Sequence, residues 1–295
     1  MTAAPIIDDC TRLETRETGH RTDPLRSVAV SPALVCGKRG QLPGAGSAGR
    51  LRPGPSSVAG ISERQRRQLP SFAPLLEELE IAGWSANRPA PSGNFHDWRL
   101  LGSGRVLVTV GHAIDPESLD SLEAALVAQA AWTAIRAHAC HADDAGMLLS
   151  LAAQTLWPAP AETLRASAVV ALIDTAGGQV SIAMAGDCIV WRVRAATSEQ
   201  IAVRQPLLGG AADFAYLSHS IQLSLRERLI LTADDTPRRP AKLATTMATS
   251  LSQLDAESHR RMTAADAVAL VRKHYERKTQ RGSGTTASVA AIRRR

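Results

Sequence analysis

The chain has 295 residues, 44% of them apolar, which is enough for a packed core and excludes a chain disordered throughout. Its net charge is +6, but only 3% of residues are Phe, Trp or Tyr, so aromatic stacking on nucleic acid is not expected and neither is a specific nucleic-acid site. Cys10, Cys36, Cys140 and Cys188 are far apart with no CxxC pair, which excludes a zinc ribbon or disulfide framework and fits a reducing compartment.

Much of the positive charge lies in residues 1 to about 60, which are rich in Gly, Pro, Ser, Thr and Arg and show no sustained apolar period. This stretch is expected to be a disordered basic arm, and residues 1–70 are set apart from a domain spanning 71–295. A short helix is expected from Ser62 to Glu78, interrupted by Pro70, with order beginning near Leu75. The first ten residues lack the basic-then-apolar order of a signal peptide, and no apolar run reaches the roughly 18 residues of a membrane span. A cytoplasmic protein without membrane contact is expected.

Leu79–Asn87 reads as a strand, followed by a polar turn and then a strand over Arg105–Val110. Helices are expected over about 118–139, with Leu119, Leu122, Leu126, Ala130 and Ala134 at helical spacing, and over about 144–156. Strands follow at 167–173 and 179–184 around Asp174-Thr175-Ala176-Gly177-Gly178, a hairpin signal. Further strands are expected at 188–194, 201–204, 219–223 and 228–232, then helices at 241–254 and 264–275, and a last strand at 287–293. Grouped strands flanked by helix pairs are not a βαβ alternation. They predict an α+β fold of two packed antiparallel sheets with helices outside. Val169, Ala171, Ile173, Ile182, Met184, Ile189, Leu229 and Leu231 are expected inside it.

Several motifs fall in one collinear series. Ser92–Trp98, then Gly104-Arg105-Val106-Leu107-Val108-Thr109-Val110-Gly111-His112, resembles the opening GGDFYDW and DGR-apolar-GDVSGHG of SpoIIE-like, PPM-type (protein phosphatase 2C) domains. Ala185-Gly186-Asp187 resembles the family's central hairpin end, and Gln205–Gly209 its PLG turn. Leu223–Asp235 matches LxPGDxLLLYTDG without a gap, and Thr285-Thr286-Ala287-Ser288-Val289 stands at DDxTV. The resemblance implies a four-layer α-β-β-α sandwich and a centre of two Mg²⁺ or Mn²⁺ ions. Such hard cations take oxygen ligands and activate the water that attacks phosphoserine or phosphothreonine.

Position by position, the resemblance implies metal-site roles for Asn94, Asp97, His112 and Asp234, converging with Asp115 at one end of the sandwich. Of these positions only Asp234 keeps the residue the family uses as a ligand. Asn94 is a neutral oxygen donor, and one imidazole nitrogen of His112 does not bridge two hard cations as a carboxylate does. Thr285 and Thr286 replace the closing acids, and Asp115-Pro116-Glu117 replaces the glycine turn after His112. Metal binding is therefore expected to be weak or absent, with no catalytic side chain assigned. The function expected is a pseudophosphatase that binds a phosphorylated regulatory protein, in the family often an anti-sigma-factor antagonist of the STAS type. The alternative is an active serine/threonine phosphatase whose site is rebuilt with Asp115, Glu117 and Asp235. His138-Ala139-Cys140-His141 is read as a helix end, where histidines complement the dipole. His96 is read as a solvated loop residue, Cys188 as a buried small side chain, and the five tryptophans as core anchors.

Overall fold

The computed structural model describes residues 55–70, 72–86, 91–114, 121–156, 165–194, 197–201, 205–211, 213–234, 256–279 and 287–295. Ten strands among them form two antiparallel sheets. In the first sheet the order is β1 (Leu79–Ser85), β10 (Ala287–Arg294), β9 (Arg228–Asp234), β6 (Cys188–Arg194) and β7 (Thr197–Ile201). In the second it is β2 (Asn94–Leu100), β3 (Arg105–Ile114), β4 (Arg165–Asp174), β5 (Gln179–Ala185) and β8 (His219–Gln222). Helices α2 (Ser121–His138) and α3 (Ala145–Leu156) cover the second sheet. The first is covered by α5 (Ala264–Thr279), with α4 (Ala256–Arg261) just before it.

β4 shows why the layers stack this way. Val169, Ala171 and Ile173 belong to the apolar cluster between the sheets, while Ala168, Val170 and Leu172 face the α2–α3 layer. A strand covered on both faces needs apolar side chains at every position rather than at alternate ones. The eight residues expected inside are all buried. Ile189 lies between the first sheet and α5, and the other seven lie between the sheets.

Local signals set the element ends. Gly178, at φ +72°, closes the β4–β5 hairpin by donating its N–H to Asp174 C=O at 2.8 Å. Asp144 starts α3, its carboxylate accepting from Met147 N–H at 2.8 Å. Thr263 and Asp266 form a reciprocal cap on α5, with Asp266 N–H to Thr263 Oγ1 at 3.1 Å and Thr263 N–H to Asp266 at 2.9 Å.

Several expectations are corrected. The first helix, α1 (Pro55–Gln68), begins before Ser62 and ends before Pro70. It is fastened to the sandwich by Gln65, whose side-chain amide exchanges hydrogen bonds of 2.9 and 3.0 Å with the Ser92 backbone. Of the arm expected to be disordered, residues 1–54 lie outside the described residues. Of the residues expected at helical spacing on α2, Ala134 is buried and Ala130 packs on the core, but Leu126 is 60% exposed. Val127, Ala128, Ala131, Ala134 and Ile135 pack inward, because small residues let α2 lie close to the sheet and α3. β7 is Thr197–Ile201, placed by pairing with β6 (Val190↔Ile201 to Arg194↔Thr197) and not by apolar periodicity; of the strand expected at 201–204, residues 202–204 lie outside the described residues. The helix expected at 241–254 lies outside the described residues. So do Trp157, Cys10 and Cys36.

Candidate functional site

A strand lies where only a polar turn was expected between residues 87 and 105. Residues 94–100 form β2, paired with β3 so that Asn94 sits opposite His112 and Asp97 opposite Thr109. Alternation then splits the motif. Asn94, His96 and Trp98 face the other sheet, while Phe95 and Asp97 face α2. Each polar side chain is buried with a partner, which is why a strand covered on both faces carries so little apolar signal.

At the inter-sheet face His112 Nδ1–H donates to Asn94 Oδ1 at 2.8 Å. The Asn94 amide donates to Ala86 C=O at 3.4 Å, and this direction fixes Oδ1 as the atom facing the ring. Burial pushes the His112 pKa from 6.5 down to about 4, so the ring is neutral. The same end of the sandwich carries Asp234. Ala86 N–H donates to Ala287 C=O at 2.8 Å, and Ala287 pairs with Asp234 at the last position of β9. Asp187 stands there too, its N–H held by Ser167 Oγ at 3.2 Å, and Ser167 pairs with His112.

Asp97 does not join this group, which corrects the expected convergence. Its carboxylate accepts from Trp132 Nε1–H at 2.9 Å and pairs with Arg136 at 3.1 Å, both on α2. Burial pushes its pKa up against the opposing pull of Arg136 and Trp132. It is a strut between strand and helix. Asp115, Glu117, Asp235, Thr285 and Thr286 lie outside the described residues.

His96 is also not the solvated loop residue expected. It is buried between the sheets, with Nδ1 2.8 Å from Ser85 Oγ, which is 2.9 Å from Ser288 Oγ. Burial lowers its pKa to about 4. Ser85 and Ser288 were missed by sequence reasoning, and only the β1–β10 register that sets them side by side reveals them. His138 meets Thr155 of α3 at 2.7 Å, in keeping with a helix-end role. Cys188 is buried, its thiol pKa pushed up by desolvation and by Asp187. Trp191 is buried in the core, and Trp84 packs on Tyr275 with centroids 6.2 Å apart.

These donors do not fit a pair of hard cations. Asn94 Oδ1 is engaged by a neutral imidazole, Asp97 points the other way, and neither Asn94 nor His112 brings negative charge. Among the described residues no group of three or more His, Cys, Asp or Glu side chains could hold a metal ion.

Two sheets covered by helix layers, with this strand order, define the PP2C-type phosphatase fold. The SiaA PP2C domain of Pseudomonas aeruginosa superposes with a TM-score of 0.62 at 17% identity, over 81% of this chain and 96% of that one. The PP2C phosphatase domain and regulatory fragment of SpoIIE from Bacillus subtilis gives 0.58 at 11%, over 73% and 63%. The RsbU and RsbW domains of a Mycobacterium tuberculosis protein give 0.55 at 20%, over 75% and 61%. The chain thus spans under two thirds of these last two. No curated protein matches. The sequence model described as Stage II sporulation protein E (SpoIIE) matches residues 103–294, most of the chain, and the chain belongs to that family. Among the described residues no helix is long and apolar enough to cross a membrane.

Proposed function

We propose that this chain is a degenerate SpoIIE-type phosphatase domain, which binds a phosphorylated regulatory protein without hydrolysing it. The observation that carries the reading is the 2.8 Å bond between Asn94 and His112. At the positions that the family resemblance assigns to a first ligand and a bridging aspartate, two neutral side chains satisfy each other. A phosphoryl group brings negative charge that a metal pair would offset, and these two positions supply no carboxylate to hold such a pair. The retained cleft end, with Asp234 at the last position of β9, is the surface proposed for the phosphorylated partner. Fold membership alone does not license activity. Regulatory binding is supported by kinship with SpoIIE and by fold relatives that include RsbU and RsbW domains.

The test is turnover of a generic aryl phosphate by the full chain, with and without Mn²⁺. The expected rate is near background in both. Manganese-dependent turnover abolished by Asp234→Ala would overturn the proposal and favour a site rebuilt with Asp115, Glu117 and Asp235 beside Asp234.

A further inference from the structure

The end of the sandwich opposite Asn94, His112 and Asp234 carries a second concentration of polar chemistry. A groove of about 310 Å³ opens where β6 ends, where the β8–β9 turn runs, and beside α4. Four arginines line it (Arg194, Arg226, Arg228 and Arg260) against one carboxylate, Glu227. That carboxylate is already taken by Arg192 at 2.7 Å and Arg194 at 2.8 Å. Arg228 is buried and committed, donating to the Met262 carbonyl at 2.7 Å and to the His259 carbonyl at the end of α4. It adds field rather than contact. Arg194 and Arg260 are about half exposed, at 47% and 53% of their side chains, Arg260 also pairing with Glu257 of α4 at 2.8 Å, and Arg226 is exposed. Among the described residues Arg226 makes no ion pair.

The turn itself is unusual. Glu227 N–H closes it on Ser224 C=O at 3.1 Å, and Arg226 N–H donates to the Arg294 carbonyl at 2.8 Å. Arg226 has φ 65°, the one positive φ at a non-glycine among the described residues. In the resemblance to LxPGDxLLLYTDG this position is the glycine, and Leu225 stands where the proline would. The chain thus keeps a left-handed backbone and places a long cation on it, at a steric cost glycine would avoid. Leu225 beside it is 68% exposed. A strained position that presents a cation and an exposed leucine is not explained by packing, since neither side chain is buried.

We propose that this groove binds an acidic segment of a protein partner, with carboxylates received by Arg226, Arg194 and Arg260 and an apolar side chain resting on Leu225. Guanidinium groups suit planar oxyanions because they offer paired donors in a fixed fork. Four arginines against one carboxylate in the lining give the groove a positive balance that favours negative charge. The same oxyanion chemistry is available from a phosphoserine placed among the acidic residues. The site is independent of whether the opposite end turns over phosphate.

The test uses the full chain and a fluorescein-labelled peptide of alternating Glu and Leu, followed by fluorescence anisotropy at low and high salt. A phosphoserine version of the peptide and one with Gln for Glu complete the set. The Glu peptide is expected to bind, to weaken with salt, and to lose at least about tenfold in affinity with Arg226→Gly, since one buried or oriented ionic contact is worth that much. Arg226→Gly relieves the backbone, so its melting temperature is expected not to fall, which separates lost binding from lost folding. Arg226→Glu is expected to abolish binding. Stronger binding of the phosphoserine peptide, equally sensitive to Arg226→Gly, would assign the oxyanion to phosphate within the same proposal. Equal affinity of wild type and Arg226→Gly would place the binding elsewhere, for example on the basic N-terminal arm, and overturn it. So would equal binding of the Gln peptide, or a marked preference for a single-stranded oligonucleotide over every peptide.

Discussion

Acidification should unfold this domain through two buried histidines. His96 and His112 both have their pKa lowered by burial from 6.5 to about 4. Because the folded values lie below the unfolded ones, the unfolded chain binds the extra protons. Stability is complete above about pH 6.5 and is lost as pH falls toward 4. Between pH 7 and about pH 4.5 each ring costs about 2.5 kcal/mol, and the pair about 5 kcal/mol, a large part of the 5–15 kcal/mol typical of a domain. Glu80, Glu227 and Asp266 have lowered pKa values, so their contributions are lost at still lower pH. Asp97, whose pKa is raised, acts in the opposite sense. The assay is urea denaturation followed by circular dichroism across this window, on wild type and on His96→Gln/His112→Gln. The double variant keeps hydrogen-bonding side chains but cannot charge. Its stability should be nearly flat from pH 7 to 4.5. A fall as steep as that of wild type would refute the buried, neutral placement of both rings.

Asp97→Ala should cost about 1–2 kcal/mol, because it leaves the Trp132 N–H without its acceptor while Arg136 turns to solvent. For a domain of this size the melting temperature should drop by roughly 3–6 °C without metal; unchanged stability would argue that Asp97 is not a strut. Val169→Asp should unfold the domain, since a carboxylate with no partner would stand among the inter-sheet residues at a cost above about 4 kcal/mol. A folded, soluble variant would contradict the placement of β4.

The layered fold was legible because β4 is apolar from Ala168 to Ile173 and β6 from Cys188 to Trp191. These runs stand out from the loops around them, and the α2–α3 pair between the strand groups completes the class. β2 was not legible. Its polar side chains are buried in pairs whose partners, Ser85, His112 and Trp132, are remote in sequence, so nothing local marks them as satisfied. Residues 197–200 of β7 were not legible for a related reason, since they lie on an edge strand with exposed Thr197, Glu199 and Gln200. At the candidate site the motif order placed Asn94, His112 and Asp234 together, and the strand register sets their backbones at one end of the sandwich. It put Asp97 with them because adjacency in a motif ignores strand alternation, which turns residues 94 and 97 to opposite faces.

The account rests on the absence of a binuclear metal centre at that end, and calorimetric titration of Mn²⁺ and Mg²⁺ into the full chain tests it most directly. The account predicts no binding of two ions per chain and at most one weak event, lost in Asp234→Ala. Two tightly held Mn²⁺ ions, with affinity destroyed by Asp234→Ala and untouched by His112→Gln, would contradict it.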